Sequence, residues 1–260
     1  MADKNIDKSL IEDFISGLYK VNDFITEFDP DIVIFPIRGA VPINDMLRII
    51  DRNNILSRDT EYLYSSSSVY RVNDVIRDSF KNLLKEYHLP GEKIKILTID
   101  EVVSGHSLAR EAKYIRMGLL DYINSNPYLS EKNLEDIVLK SVAIVDTRYQ
   151  KQGKPLQKGY LKMLKQDLVY EVPVRENIVM DKPQYCPVKM KRKDLHTYYP
   201  EMERFEVSID YLNLLRYVAS VVGENLKLVP LQNPEAVHSS ERFVPEKYKS
   251  KSFDHKLNVV

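Results

Sequence analysis

Two adjacent acids, Asp100 and Glu101, stand at the end of an apolar run and directly before a Ser-Gly-His-Ser loop. Carboxylates accept hydrogen bonds from sugar hydroxyls and also suit Mg²⁺, which prefers oxygen ligands. The loop, at residues 104–107, precedes a helical pattern, so its backbone N–H groups can point at an anion with support from the helix dipole. Gly105 permits the tight turn. Acids and loop together have the chemistry of a site for a phosphorylated sugar.

A second candidate site begins at Arg38, Gly39 and Ala40, which follow the apolar run DIVIF at residues 31–35. The arginine fork can pair bidentately with phosphate oxygens. A helix is expected to begin near Pro42, since proline is favoured in the first helical turn. This turn is therefore a second anion-binding candidate.

The elements that must position these residues can be read from hydrophobic periodicity. Apolar runs at residues 31–35, 94–99 and 142–145 are typical of buried parallel strands. Stripes of helical period predict helices over residues 10–25, 72–87, 108–119 and 208–223. The last of these is expected to pack in the core or at a dimer interface. We expect an α/β fold with a mostly parallel sheet flanked by helices, and binding residues at the carboxyl ends of its strands.

These motifs resemble the type I phosphoribosyltransferases, over roughly residues 31–148. The resemblance implies that the chain binds 5-phosphoribosyl-1-diphosphate (PRPP), with Arg38, Gly39 and Ala40 at the pyrophosphate. It implies 5′-phosphate binding by the loop residues Ser104, Gly105, His106 and Ser107. It also implies that Asp100 and Glu101 orient the ribose and hold Mg²⁺.

The acidic pair departs from the family pattern. The family signature has acids six and five residues before its glycine, whereas Asp100 and Glu101 stand five and four residues before Gly105. Either Asp100 matches the second family acid, or the pair is kept and the loop is one residue shorter. The sequence leaves both alignments open.

Further candidates lie at other predicted strand ends. A four-serine tract at residues 65–68, with Ser66 and Ser67 at its centre, falls where the family carries a mobile loop that closes over PRPP. An ordinary solvated loop is the alternative. Asp146, Arg148 and Tyr149 follow the 142–145 strand and are candidates for contact with an acceptor, although polar residues end most strands.

Composition limits the other classes of function. The 260 residues carry 38 acidic and 38 Lys/Arg side chains, so no net field favours nucleic acid or a membrane. The single cysteine, Cys186, excludes an intramolecular disulfide and fits a reducing cytoplasm. No dinucleotide-binding glycine triplet, Walker motif or zinc-ligand spacing occurs. Membrane spanning and export are not expected, since the N-terminal residues 1–10 are charged and no long apolar run follows.

Two hypotheses follow. In the first, residues 1–150 form a phosphoribosyltransferase-like core, and residues 151–260 form a helical or irregular extension that completes it or packs on it. The chain would then transfer phosphoribose from PRPP to a small-molecule nitrogen acceptor and release pyrophosphate, with Mg²⁺. In the second, the chain is a non-catalytic module that binds PRPP or a nucleotide, or a subunit of a homodimer or larger assembly.

Overall fold

The computed structural model describes residues 8–51, 59–153, 155–179, 182–224 and 234–250. At its centre is a parallel sheet of five strands in the order β2-β1-β3-β4-β5. The strands are β1 (Ile32–Ile37), β2 (Asp59–Tyr64), β3 (Ile94–Val102), β4 (Ile137–Asp146) and β5 (Val169–Val174). The expected α/β fold with a mostly parallel sheet is confirmed.

The strands are apolar because helices cover both faces of the sheet, as in most parallel sheets. All six residues of β1 are buried. Alternate strand residues face opposite sides: Leu97 and Ile99 pack on one side, and Ile94 and Ile96 on the other.

Helices are distributed over these two faces. α1 (Lys8–Phe28), α2 (Ala40–Ile50) and α7 (Ile209–Val221) share the core on the Leu97 side. α3 (Val72–Tyr87), α4 (His106–Ser125) and α6 (Lys158–Lys165) cover the other side. The remaining helices, α5 (Thr147–Lys151) and α8 (Pro234–Ser239), are short. No helix among the described residues is long and apolar enough to span a membrane.

The chain beyond residue 150 contributes to the same sheet. β5 pairs in parallel with β4, from Ser141 opposite Val169 to Asp146 opposite Val174. An antiparallel hairpin follows, formed by β6 (Val188–Arg192) and β7 (Tyr198–Phe205). The predicted division at residue 150 thus falls before the fifth strand, and the second part supplies an edge of the sheet. Residues 1–7 and 251–260 of the two predicted parts lie outside the described residues.

Candidate functional site

The strand order creates a crevice between β1 and β3. The chain leaves β1 toward α2 on one face and leaves β3 toward α4 on the other. At such a topological switch point the two connections diverge, and ligands of open α/β sheets bind in the space between them. The turn after β1 carries Arg38, and the loop after β3 carries Gly105.

A cavity of about 220 Å³ lies at this crevice. Arg38 and Gly39 line it from the turn after β1, where a cis peptide bond joins Ile37 to Arg38. Asp100 lines it from the end of β3, and Ser107 from the first turn of α4. Six of the sequence-predicted site residues therefore line one cavity: Arg38, Gly39, Ser66, Asp100, Glu101 and Ser107.

The loop after β3 encloses a smaller cavity of about 80 Å³, lined by residues 101–108. Glu101 and Ser107 belong to the walls of both cavities. Gly105 has a φ of 77°, and a Cβ atom there would overlap the ring of Tyr160, so only glycine fits this turn. The first amides of a helix have no intrahelical acceptor, and no side chain caps α4. The loop thus offers N–H groups to an anion.

The two adjacent acids have different surroundings, because consecutive residues of a strand point to opposite faces. Glu101 is buried, and its Oε1 accepts hydrogen bonds from the backbone N–H groups of Ile178 (3.0 Å) and Val179 (3.1 Å). Glu101 therefore anchors the segment that follows β5. The carboxylate lies in the cavity wall, but one of its oxygens is committed to the protein's own backbone.

Asp100 faces α4. Its Oδ1 accepts from the backbone N–H of Glu101 at 2.9 Å, and its other carboxylate oxygen makes no hydrogen bond to a described residue. Burial and then the Glu101 carboxylate raise the pKa of Asp100 to about 8, against the opposing effect of Arg110. Such an acid is largely protonated at neutral pH and would gain from a cation or a hydrogen-bonding ligand.

A third acid, Glu111 of α4, lies close to Asp100. It is fully buried, and its pKa is raised well above the ordinary value by burial and by Asp100. Neither carboxylate oxygen has a hydrogen-bond partner among the described residues, while the neighbouring Ser65 and Arg110 side chains favour the ionised form. Arg110 donates to the carbonyl oxygen of Ser65 and is the neighbouring cation.

The serine tract is tied to the β6–β7 hairpin. Tyr198 donates its backbone N–H to the carbonyl of Ser68 (2.9 Å) and accepts from the N–H of Tyr70 (2.8 Å). Ser66 lines the cavity, whereas Ser67 is exposed and does not. The Arg38 guanidinium lies 5.7 Å from the centre of the Tyr198 ring. Closure of this tract over a ligand remains a prediction.

Several predicted residues lie outside the larger cavity. Asp146 accepts hydrogen bonds from the backbone and guanidinium of Arg148 and from the N–H of Asn177, and these bonds lower its pKa against the effect of burial. Arg148 also pairs with Glu176 at 2.9 Å. Like Glu101, Asp146 holds the segment after β5. Neither of these residues nor Tyr149 lines the cavity.

The remaining loop predictions divide between the smaller cavity and the core. Ser104, Gly105 and His106 line the smaller cavity and not the larger one. Ala40 is fully buried at the start of α2 and packs in the core on the Leu97 side of the sheet.

Six further residues of the wall were not among the predicted site residues: Pro36, Ile37, Ser65, Val179, Pro183 and Cys186. Pro36 and Ile37 end β1, and Ser65 belongs to the noted serine tract. The other three follow β5, where the sequence carries no motif. Cys186 donates from Sγ to the carbonyl of Arg38 at 3.5 Å, and burial raises the pKa of its thiol.

No protein-family model matches the chain, and no curated protein matches it. Among solved structures, the chain is similar to a tagatose-6-phosphate ketose/aldose isomerase from Escherichia coli, with 8% sequence identity and a TM-score of 0.33. The alignment covers 64% of this chain and 38% of the isomerase chain. A similarity of this size is too low to assign a fold or a function.

Proposed function

We propose that the chain binds PRPP at the β1/β3 crevice and transfers its phosphoribosyl group to a nitrogen nucleophile, with release of pyrophosphate. The observation that carries this proposal is the shared cavity of Arg38, Gly39, Asp100 and Ser107. A cation, an open backbone turn, an acid and a helix N-terminus around one cavity match the parts of a sugar bearing phosphates at both ends. The motif resemblance supplies the assignment of each part.

Gly39 supports the pyrophosphate part of this proposal. Its φ of −60° is open to any residue, and a Cβ atom there would meet no protein atom within 4 Å. The chain itself therefore does not require glycine at this cavity-lining position. Close approach of a ligand to the backbone is a physical reason for it.

The residues present also fit Mg²⁺. This ion usually keeps several waters and takes one or two carboxylates together with substrate phosphates. Asp100 would supply such a carboxylate, and Glu101 lies beside it in the cavity wall. No cluster of three or more metal-ligating side chains occurs among the described residues. Waters and phosphate oxygens would supply the other ligands. When bound, the ion would neutralise charge on the departing pyrophosphate.

The chain's own residues would act by binding and orientation. Arg38 would hold the pyrophosphate and stabilise its charge as the glycosidic bond breaks. The 104–107 loop would fix the 5′-phosphate, and Asp100 would orient the ribose hydroxyls. The apolar side chains of Val179 and Pro183 would exclude water from the same cavity.

A non-catalytic PRPP- or nucleotide-binding module is the second candidate. It is favoured by the hydrogen bonds that commit Glu101 to the backbone of Ile178 and Val179. Such a site would bind the phosphates and ribose with one free acid instead of two. Pyrophosphate release, assayed with a panel of nucleobases and amines alongside PRPP binding, distinguishes the two: binding without turnover supports the module.

Arg38→Ala tests the site itself. If its contact with pyrophosphate is charge-assisted, the substitution should weaken PRPP and pyrophosphate binding by about 1.5–3 kcal/mol in calorimetric titrations. Arg204→Ala, at an exposed position on β7 paired with Glu206, is the matched control and should bind as the wild type does. Unchanged affinity in a folded Arg38→Ala protein would remove Arg38 from the site.

A further inference from the structure

Another cavity, of about 230 Å³, lies on the face of the sheet beneath α4, and it shares no lining residue with the two cavities of the crevice site. Its wall is mainly apolar and includes Phe80, Ile96, Ile115, Leu119, Leu139 and Met163. A dry cavity of about 150 Å³ already accepts benzene. This cavity therefore has room for one aromatic ring with a short substituent.

Two hydroxyl groups lie in the wall formed by the sheet. Thr98 on β3 and Ser141 on β4 are register partners on adjacent strands, and only 5% and 7% of their surfaces are exposed. Both line the cavity, and neither hydroxyl hydrogen-bonds to another described residue. Neither oxygen is among the fully buried unpaired atoms of the described residues, so both are open to the cavity. A polar group on a ligand would pair with them.

The cavity also has a cation in its wall. Arg116 on α4 lines it, is exposed, and makes no ion pair within the part of the chain that the structure describes. The other lining cation, Lys140, already pairs with Asp167 at 2.7 Å. Arg116 is therefore available to a carboxylate, and its planar fork suits bidentate pairing.

We propose that this cavity binds a small aromatic carboxylate, with the ring against the apolar wall. A polar substituent on the ring would meet Thr98 and Ser141, and the carboxylate would meet Arg116. The arrangement follows the general pattern of ligand sites, in which an apolar pocket carries a few convergent polar groups that set orientation. The inference is independent of the PRPP proposal.

The test uses three probes in calorimetric titrations of the full chain: 3-(4-hydroxyphenyl)propanoate, 3-phenylpropanoate and the amine tyramine. The hydroxylated carboxylate should bind most tightly and tyramine at least tenfold more weakly. Arg116→Gln should weaken binding of both carboxylates at least tenfold. Thr98→Val, which keeps the volume, should weaken only the hydroxylated probe. Arg216→Gln, an exposed site on α7 across the sheet, is the charge control and should have no effect.

Three results would overturn the proposal. One is the absence of saturable binding of either carboxylate up to about 5 mM. Such a result would mean that the standard binding free energy is weaker than roughly −3 kcal/mol. Another is that wild type and Arg116→Gln bind the two carboxylates with equal affinity. This variant is expected to fold, because Arg116 is exposed. The third is that a second copy of the chain occupies the cavity. Sedimentation would then show that the wild type is a dimer and that Ala112→Phe, which fills the cavity, is a monomer.

Discussion

Asp100 is an acid whose environment opposes its ionisation. It lies on the face of β3 that is turned toward α4, with the carboxylates of Glu101 and Glu111 nearby and Arg110 as the opposing cation. Such a group responds strongly to pH and to any cation brought into its cavity. Its charge state therefore links the stability of the empty protein to ligand binding.

Stability should fall with rising pH because of Asp100. Its folded-state pKa of about 8 lies above the ordinary 3.8, so the folded protein keeps a proton that the unfolded chain loses as pH rises through this window. Asp100→Asn removes this effect. Between pH 5 and pH 8, the free energy of unfolding of the wild type should fall by about 3 kcal/mol more than that of Asp100→Asn. One pKa unit corresponds to about 1.4 kcal/mol.

Urea denaturation at the two pH values measures this difference. Asp23→Asn, at an exposed position on α1, is the control and should follow the wild type. A parallel response of Asp100→Asn and wild type would show that Asp100 ionises normally in the folded protein. The same variant should lose more Mg²⁺-supported PRPP affinity than Glu101→Gln, because the free oxygen in the cavity belongs to Asp100.

The adjacent acids also show what a sequence can and cannot decide. Strand alternation requires that Asp100 and Glu101 point to opposite faces. That constraint could be stated from the sequence once β3 was predicted. Which of the two acids is bonded to the protein's own backbone could not, because it depends on the segment after β5, some 77 residues from Glu101 along the chain. The bonds to Ile178 and Val179 are long-range contacts with no local signal.

At the scale of elements, the two turns that form the site contain glycines of different kinds. The loop conformation requires glycine at position 105, because φ is positive there and the backbone lies against Tyr160. Gly39 has an ordinary helical φ and open space beside it. One glycine serves the structure of the loop. The other leaves room in the cavity.

Alanine substitution should separate these roles. Gly105→Ala should lower the free energy of unfolding by more than about 1 kcal/mol, because alanine is strained at positive φ and its Cβ would overlap Tyr160. Gly39→Ala should fold with unchanged or slightly raised stability, yet bind PRPP at least tenfold more weakly. Thermal unfolding and calorimetry measure both effects. A Gly39→Ala protein with wild-type affinity would place the pyrophosphate elsewhere.

Most elements were predictable because their periodicity is strong. The strands near residues 31–35, 94–99 and 142–145 and the helices near 10–25, 72–87, 108–119 and 208–223 all occur. The largest differences are that β4 begins at Ile137 and that α4 continues to Ser125. The β6–β7 hairpin was not predicted. β6 carries the basic residues Lys189, Lys191 and Arg192, β7 has several polar residues, and register shifts interrupt their pairing, so no clean alternation marks the two strands.

At the scale of the whole molecule, the later half of the chain closes the site that the first half builds. Asp146 accepts a hydrogen bond from the backbone N–H of Asn177, and Glu101 accepts from those of Ile178 and Val179. Acids at the ends of two neighbouring strands thus position the segment that leads to the cavity wall at Pro183 and Cys186. The site and the C-terminal part of the fold should therefore be coupled.

Glu101→Ala tests this coupling. Removing the carboxylate leaves two buried backbone N–H groups without an acceptor, which should cost about 2–4 kcal/mol of stability. Hydrogen exchange at Ile178 and Val179 should accelerate with it. Glu101→Gln keeps an acceptor oxygen and should retain most of the protection. Equal protection in Glu101→Ala and wild type would show that other contacts hold the segment.

A crystal structure of the protein with PRPP and Mg²⁺ tests the central claim most directly, because the two phosphate groups report on both turns at once. The account predicts pyrophosphate density at Arg38 and the Gly39 backbone, the 5′-phosphate within the 104–107 loop, and the ribose beside Asp100. Density for PRPP elsewhere on the protein, or a crevice left empty under saturating PRPP and Mg²⁺, would contradict it.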